Sequence, residues 1–394
     1  MRRSITPRLG ILTFGHLTID SYSSFFAPLL PLLVAKLGLS LTMVGTLVAL
    51  SSISSSFSQP LFGLPSDRMR RPWFVALGPL TAAIFMSALG LAPSYGVLVA
   101  LLMLAGLGVA AFHPQAAALA AAATGRRSIS MAIFVTGGTL GFALGPMFAV
   151  GVVTTFGLER TWVAVIPGVA ATALLLFWLR RIEARPREHV KPPPLSALRP
   201  VLRPLVLLYA ATVSRSVVAT GYMTFLPLYL HERGYSLAQS GATVSLYLLF
   251  GAIGGFFGGW LADRIGGRRV IAASFAGSLP FFIASLFLDD RLGIPCLLSG
   301  SFVLQASLPA NVVLGQELSP AHSSTISSFL MGAAWGMGAL IVGPIGALAD
   351  ARGIHAALLT LACMPAAGLV CAIALLRTPA AIPGAHGLRH VARA

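Results

Sequence analysis

Apolar runs close to 20 residues long recur from one end of this chain to the other, and nothing else in the sequence limits its fold as tightly. A helix needs about 20 apolar residues to cross the hydrocarbon core of a bilayer. Twelve such stretches can be read, at 8–36, 41–64, 72–93, 95–123, 128–156, 160–181, 204–232, 237–262, 268–289, 292–318, 322–350 and 354–377. Of the 394 residues 56% are apolar and only 10% are charged, against about 25% charged in an average soluble domain. An outer-membrane barrel would show short alternating segments, which this sequence lacks. The expected fold class is all-α and integral to a lipid bilayer, with twelve transmembrane helices. The opening MRRSITPRLG leads into an apolar run too long for a signal peptide, so the first helix is expected to be retained.

A net charge of +16 could indicate a nucleic-acid partner, so the placement of the charges decides what it means. With the N-terminus inside, 21 of the 27 Lys and Arg residues fall on the cytoplasmic side. Lys36, Arg160, Arg233, Arg291 and Arg352 fall outside, and Arg215 lies within a span. Basic residues gathered on the inner loops orient a membrane protein. The basicity therefore reports orientation, and no nucleic-acid partner is expected. Cys296, Cys363 and Cys371 all sit in spans and form neither a disulfide framework nor a metal spacing. No metal, cofactor, nucleotide loop or nucleophile constellation is expected, which sets aside ATP-driven transport and enzyme chemistry.

The segment IEARPREHVKPPPLSALRPVLR at 182–203 is charged, proline-rich and unable to span. It divides the chain into a six-helix bundle at 1–182, a cytoplasmic linker at 183–203, a second six-helix bundle at 204–378 and a cytoplasmic tail at 379–394. The halves match each other. PLLVAKLGLSLTMVGT at 31–46 aligns without gaps to PLYLHERGYSLAQSGAT at 227–243 for fifteen positions, a shift of 196. The same shift carries Gly63, Asp67 and Arg68 onto Gly259, Asp263 and Arg264, and a shift of 198 carries Gly145-Pro146 onto Gly343-Pro344. An internal repeat of this kind points to a transporter built from two related bundles, with the solute path at their interface.

Twelve spans in two sets of six, a long linker, and G-x-x-x-D-R between the second and third helices of each half resemble the major facilitator superfamily. The resemblance covers essentially the whole chain. The copy at 259–269, with Arg268, fits the usual G-x-x-x-D-R-x-G-R-R with one extra residue; the copy at 63–71 has Met69 and Arg70 where glycine is usual. Glycine allows close helix approach, and aspartate can accept from helix N-termini or arginine forks in one packing and release them in another. The resemblance implies a latch on the cytoplasmic gate. The fifth span, GGTLGFALGPMFAVG, places Gly137, Gly138, Gly141, Gly145 and Pro146 along one face and resembles the superfamily's antiporter motif, found mainly in exporters. The eleventh span carries a similar GAAWGMGALIVGPIG, which generic small-residue packing would also explain.

Few polar residues interrupt the spans, and each needs a reason to be there. His16 and Asp20 stand four apart and so share a helix face. An ionised carboxylate facing lipid costs at least about 2.5 kcal/mol, so that face must look into the bundle or a wet cavity. Burial favours the protonated carboxyl and a nearby cation the ionised one, so Asp20 can exchange a proton as its surroundings change; the alternative is that the pair only braces the helix. Arg215 sits one residue from the repeat equivalent of Asp20, and in mid-membrane it needs an anion: Asp20, Glu317 or the solute. Otherwise its head snorkels to the cytoplasmic interface. His113, Pro114 and Gln115 read as a cavity wall or as an interior histidine beside a kink. Asn311, Gln316 and Glu317 in the tenth span read as cavity residues, with Glu317 near enough to the cytoplasmic end to serve the gate instead.

GHLTIDSY, FHPQAAALAAAATGRRSISMAIFVTGGTLGFALGP and GQELSPAHSSTISSFLMGAAWGMG look like the fosmidomycin resistance branch of the superfamily. His16, Asp20, His113, Pro114, Arg215, Gln316 and Glu317 fit that branch's pattern, whereas Gln115 is an amide where the branch has an acid. The resemblance implies a proton-coupled exporter of a small, anionic, drug-like compound in a bacterial inner membrane, working by alternating access; a monomer is expected. The sequence leaves two alternatives open: uptake of an anionic nutrient bound by Arg215, and a receptor or scaffold that moves nothing.

Overall fold

The polar interruptions of the spans become caps, breaks and helix contacts in the computed structural model, which describes residues 6–59, 61–62, 69, 71–123, 127–179 and 194–378. The described residues are helical, with no strand among them. Eleven helices are long and apolar enough to cross a bilayer: α1 (Pro7–Leu37), α3 (Trp73–Leu91), α4 (Tyr95–Ala121), α5 (Ser130–Phe156), α6 (Leu158–Leu179), α7 (Ser196–Glu232), α8 (Leu237–Ile265), α9 (Gly267–Phe287), α10 (Asp290–Leu318), α11 (Thr325–Arg352) and α12 (Ile354–Leu376). A twelfth, α2 (Leu41–Phe57), is shorter than the span expected at 41–64, of whose remainder residues 60, 63 and 64 lie outside the described residues. The expected linker also ends early, because a 3-10 turn over Leu195–Val201 leads straight into α7.

Local chemistry explains the ends. The Thr6 hydroxyl caps α1 by accepting from the Leu9 amide at 3.2 Å, with Pro7 supplying the first helical position. Gly38 closes α1 in the left-handed region at φ 62°, which a residue with a Cβ rarely adopts. Ser236 and Gln239 form a reciprocal capping box at the start of α8.

Packing repeats between the halves. In the first, α1 lies on α5, α3 on α4 and α6, and α2 on α4; in the second, α7 lies on α11, α9 on α10 and α12, and α8 on α10. The two most extensive pairings between the halves, α2 with α11 and α5 with α8, are exchanged by the repeat, and the end of α1 adds smaller contacts with α7 and α8. Successive helices alternate in direction, so α2 and α8 begin at the face opposite the start of α1, called here the far face. There Gly45 of α2 leaves room for the backbone of Val342 and Gly343 on α11, and its repeat mate Gly241 on α8 meets Val150 of α5. Close backbone approach at small residues is how membrane helices gain packing without a hydrophobic driving force.

Candidate functional site

His16 and Asp20 sit one turn apart on α1, on the face that packs against α5. The imidazole of His16 fills the space that Gly138 leaves by having no side chain. Its ring stacks on Phe134 at 4.1 Å between centroids, and its Nδ1 lies 2.8 Å from the Phe134 carbonyl oxygen. His113 projects from α4, with Nδ1 2.9 Å from the Val109 carbonyl one turn back. A carbonyl only accepts, so in both rings Nδ1 carries the hydrogen. That choice leaves Nε2 of each ring facing the same carboxylate, His16 at 3.2 Å from Oδ2 and His113 at 3.4 Å from Oδ1 of Asp20.

A neutral ring of this tautomer presents a lone pair at Nε2, and a lone pair against an ionised carboxylate oxygen is repulsive. Each contact becomes attractive only with a proton in it, on the imidazole or on the carboxyl. The cluster therefore has places for two exchangeable protons on three bases. The Asp20 and His113 side chains keep 16% and 26% of their surface exposed. The three ligand atoms lie within 4.8 Å of one another, and three protein ligands is the number of an open zinc site. Each imidazole is thus paired with its own oxygen of the Asp20 carboxylate.

Arg215 is not part of this cluster, and the ion pair expected with Asp20 is not formed. Two imidazoles of the first half already occupy the Asp20 carboxylate, and Arg215 turns toward its own half. Its side chain has no exposed surface. Nη1 donates to Gln305 Oε1 of α10 at 2.8 Å, and the guanidinium carbon lies 5.4 Å from the ring centre of Trp335 on α11. Nε and Nη2 have no hydrogen-bond partner among the described residues. Snorkelling is excluded by the same burial.

The remaining expected positions are dispersed. Gln115 is buried on α4 with Oε1 3.3 Å from the Val75 amide at the start of α3, so it braces two helices instead of lining a cavity beside His113. Asn311 is wholly buried on α10, and neither of its amide atoms is partnered. Gln316 donates to the Ser327 hydroxyl at 2.8 Å, and Glu317 is exposed in the last turn of α10. In the loop motif, Gly259 packs on Pro309, Asp263 is exposed, Arg264 lies 3.6 Å over the Trp260 ring, and Arg268 Nη1 donates to the Thr378 carbonyl at 2.5 Å. Gly63, Asp67 and Arg68 lie outside the described residues. The antiporter-like glycines all face α1: Gly137 meets Thr13, Gly138 His16, Gly141 Leu17 and Gly145 Ser21. Pro146 lies within the same helix, and its carbonyl approaches Gly241 across the interface between the halves.

Three residues of consequence escaped the sequence reading. Gln305 and Trp335 were hidden among apolar and glycine neighbours, and polarity in mid-span was the available signal for Gln305. Asp350, at the end of α11, accepts from the Leu41 and Thr42 amides at 2.8 Å each and from the Thr42 hydroxyl at 2.5 Å. An acid at the end of an apolar run looks like any solvated terminus, so no signal in the sequence marked it.

Known proteins share this plan. The model of the Major Facilitator Superfamily matches residues 12–342. An uncharacterized MFS-type transporter of Bacillus subtilis, YfnC, is 29% identical over 93% of this chain and 92% of its own. The fosmidomycin resistance protein of Escherichia coli is 27% identical over 92% of this chain and 91% of its own. Among solved structures, a bacterial homologue of the human lysosomal transporter Spinster, inward-facing and occupied, superposes with a TM-score of 0.80 at 16% identity, covering 95% of this chain and 98% of that one. With a family match over most of its length and a helical plan shared with known transporters, the chain belongs to the Major Facilitator Superfamily.

Proposed function

We propose that this transporter exports a small anionic, drug-like compound in exchange for protons, as a monomer in a bacterial inner membrane with both termini in the cytoplasm. The observation that carries the reading is the Asp20 carboxylate held between two imidazole Nε2 atoms. With protons in both contacts, α4 is drawn onto α1. When they leave, two lone pairs face the carboxylate and the helices are pushed apart. α1 is packed along α5, and α5 meets α8 of the other half, so the proton state of the cluster bears on the contact between the halves. Similarity to the Escherichia coli fosmidomycin resistance protein supports export and the substrate class. The gathering of basic residues on one set of loops supports the orientation.

The test is solute flux in proteoliposomes under an imposed pH gradient, with small phosphonates and carboxylates, fosmidomycin among them, as solutes. Solute is expected to accumulate against its gradient in the direction opposite to proton flow. In Asp20→Asn, gradient-driven accumulation is expected to fall at least tenfold while exchange without a gradient persists. Accumulation in the direction of proton flow would replace export by uptake, and an undiminished gradient response in Asp20→Asn would remove the cluster from the mechanism.

A further inference from the structure

We infer that the free edge of Arg215 is the oxyanion-binding subsite for the transported solute, in the half opposite the proton cluster. The inference rests on the transport reading above and names where the anion binds.

A guanidinium taken out of water without an anion costs several kcal/mol, and proteins keep such groups only where something compensates. Among the described residues no acid supplies that compensation. Among the described acids, Asp20 is held by two imidazoles, Glu159 by Lys36, Asp290 by Arg233 and Asp350 by the start of α2. Asp289 caps α10, while Glu232, Asp263 and Glu317 are exposed. Arg215 has the neutral Gln305 amide oxygen, the face of Trp335 and the nearby phenol of Tyr247, none of them a carboxylate.

The geometry selects the ligand. Gln305 holds Nη1, which fixes the plane of the guanidinium and leaves Nε and Nη2, the adjacent pair, pointing into the protein unpartnered. Two parallel N–H donors on one edge match the two oxygens of a carboxylate, phosphate or phosphonate. Trp335 covers one guanidinium face, and its carbonyl accepts from the Ser216 hydroxyl at 3.4 Å, so the aromatic wall is tied to α7. Further along α10, Asn311 offers a buried amide with both donor and acceptor unused, suited to a polar group on the body of the same solute. Complete burial inside the second half sets the site away from lipid headgroups, so the ligand is a free solute.

Access requires movement, and the structure has a joint in the right place. α11 carries a π-turn over Phe329–Ala333, two residues before Trp335, and α10 is interrupted at Ala306, next to Gln305. Single π-turns within α-helices are frequent at functional sites.

The experiment is equilibrium binding to the purified full-length transporter in neutral detergent, by calorimetry, with methylphosphonate, acetate and inorganic phosphate as probes. Trp335 emission serves as a local readout, assigned with Trp335→Phe. Saturable binding of at least one probe is expected, weakened at least tenfold in Arg215→Gln. Gln305→Glu keeps the arginine and gives it an internal carboxylate, so it should weaken binding similarly while raising the melting temperature, and it guards against Arg215→Gln failing to fold. Wild-type protein that binds none of the probes, binding unchanged in both variants, or binding only of a short-chain phosphatidate would overturn the inference. Binding without coupled flux would sink the proton reading alone, and coupled flux without Arg215-dependent binding would sink this one alone.

Discussion

An imidazole whose Nδ1 faces a carbonyl has no choice of tautomer, and two such rings on one carboxylate make its charge state a structural variable. His113 is the telling member because it stands on a different helix from the other two. His113→Gln keeps a polar group of similar reach but removes the titratable nitrogen. In vesicles it should lower gradient-driven accumulation about tenfold and the number of protons moved per solute, with exchange in the absence of a gradient retained. Unchanged proton stoichiometry, measured from the solute gradient at balance, would assign His113 to the wall instead. The sequence made half of this cluster legible. Spacing of four put His16 and Asp20 on one face, which a helix guarantees. It was silent on the contact between Asp20 and His113, since nothing local specifies how α4 is rotated against α1. The same ignorance of rotation left open which anion Arg215 meets, Asp20, Glu317 or the solute: the repeat gives its depth along α7, and depth alone does not say which way a side chain points.

Between elements, the glycine face of α5 is what lets the cluster exist. Sequence spacing identified that face, with generic packing as the alternative to an exporter's motif; the structure gives it a specific contact, because a Cβ on Gly138 would overlap the ring of His16. Gly138→Ala should therefore displace the imidazole and impair coupling to about the extent of Asp20→Asn, at a stability cost of about 1–3 kcal/mol for an overpacked contact. Gly151, on the same helix, has nothing within 4 Å of a built Cβ. Gly151→Ala should stabilise α5 by about 0.5–1 kcal/mol through helix propensity and leave transport unchanged. Thermal melts of both variants beside the flux assay separate the two effects. Equal loss of coupling in both would make α5 a rigid strut with no special contact to His16. Span positions were legible because hydropathy is summed over about 20 residues. The π-turns in α2 and α11 were not, because Ile53–Phe57 and Phe329–Ala333 have the composition of ordinary helix.

Across the whole molecule, the repeat is broken at one place that matters for alternating access. The start of α8 satisfies itself through Ser236 and Gln239. The equivalent start of α2 has Ser40 accepting from the Met43 amide but gives its Leu41 and Thr42 amides to Asp350 of the other half. A carboxylate at a helix N-terminus is stabilised by the unpaired amides and the helix dipole. Here that stabilisation exists only while the halves are closed at the far face, beside the Gly45 contact with Val342 and Gly343. Asp350 is exposed, so solvent and salt limit the contact to about 1 kcal/mol. That is about a fivefold bias in a two-state equilibrium. Asp350→Ala should raise the population open at the far face about fivefold, while Gln239→Ala, which weakens a cap internal to one half, should not change it. Spin labels at Gly96 and Arg291, both exposed at far-face ends of helices in opposite halves, report the separation once Cys296, Cys363 and Cys371 are replaced. A distance distribution indifferent to Asp350→Ala would mean that the glycine contacts alone hold the face shut. The predicted shift would instead show a transporter whose resting state is set by an acid that only one of its two repeats possesses.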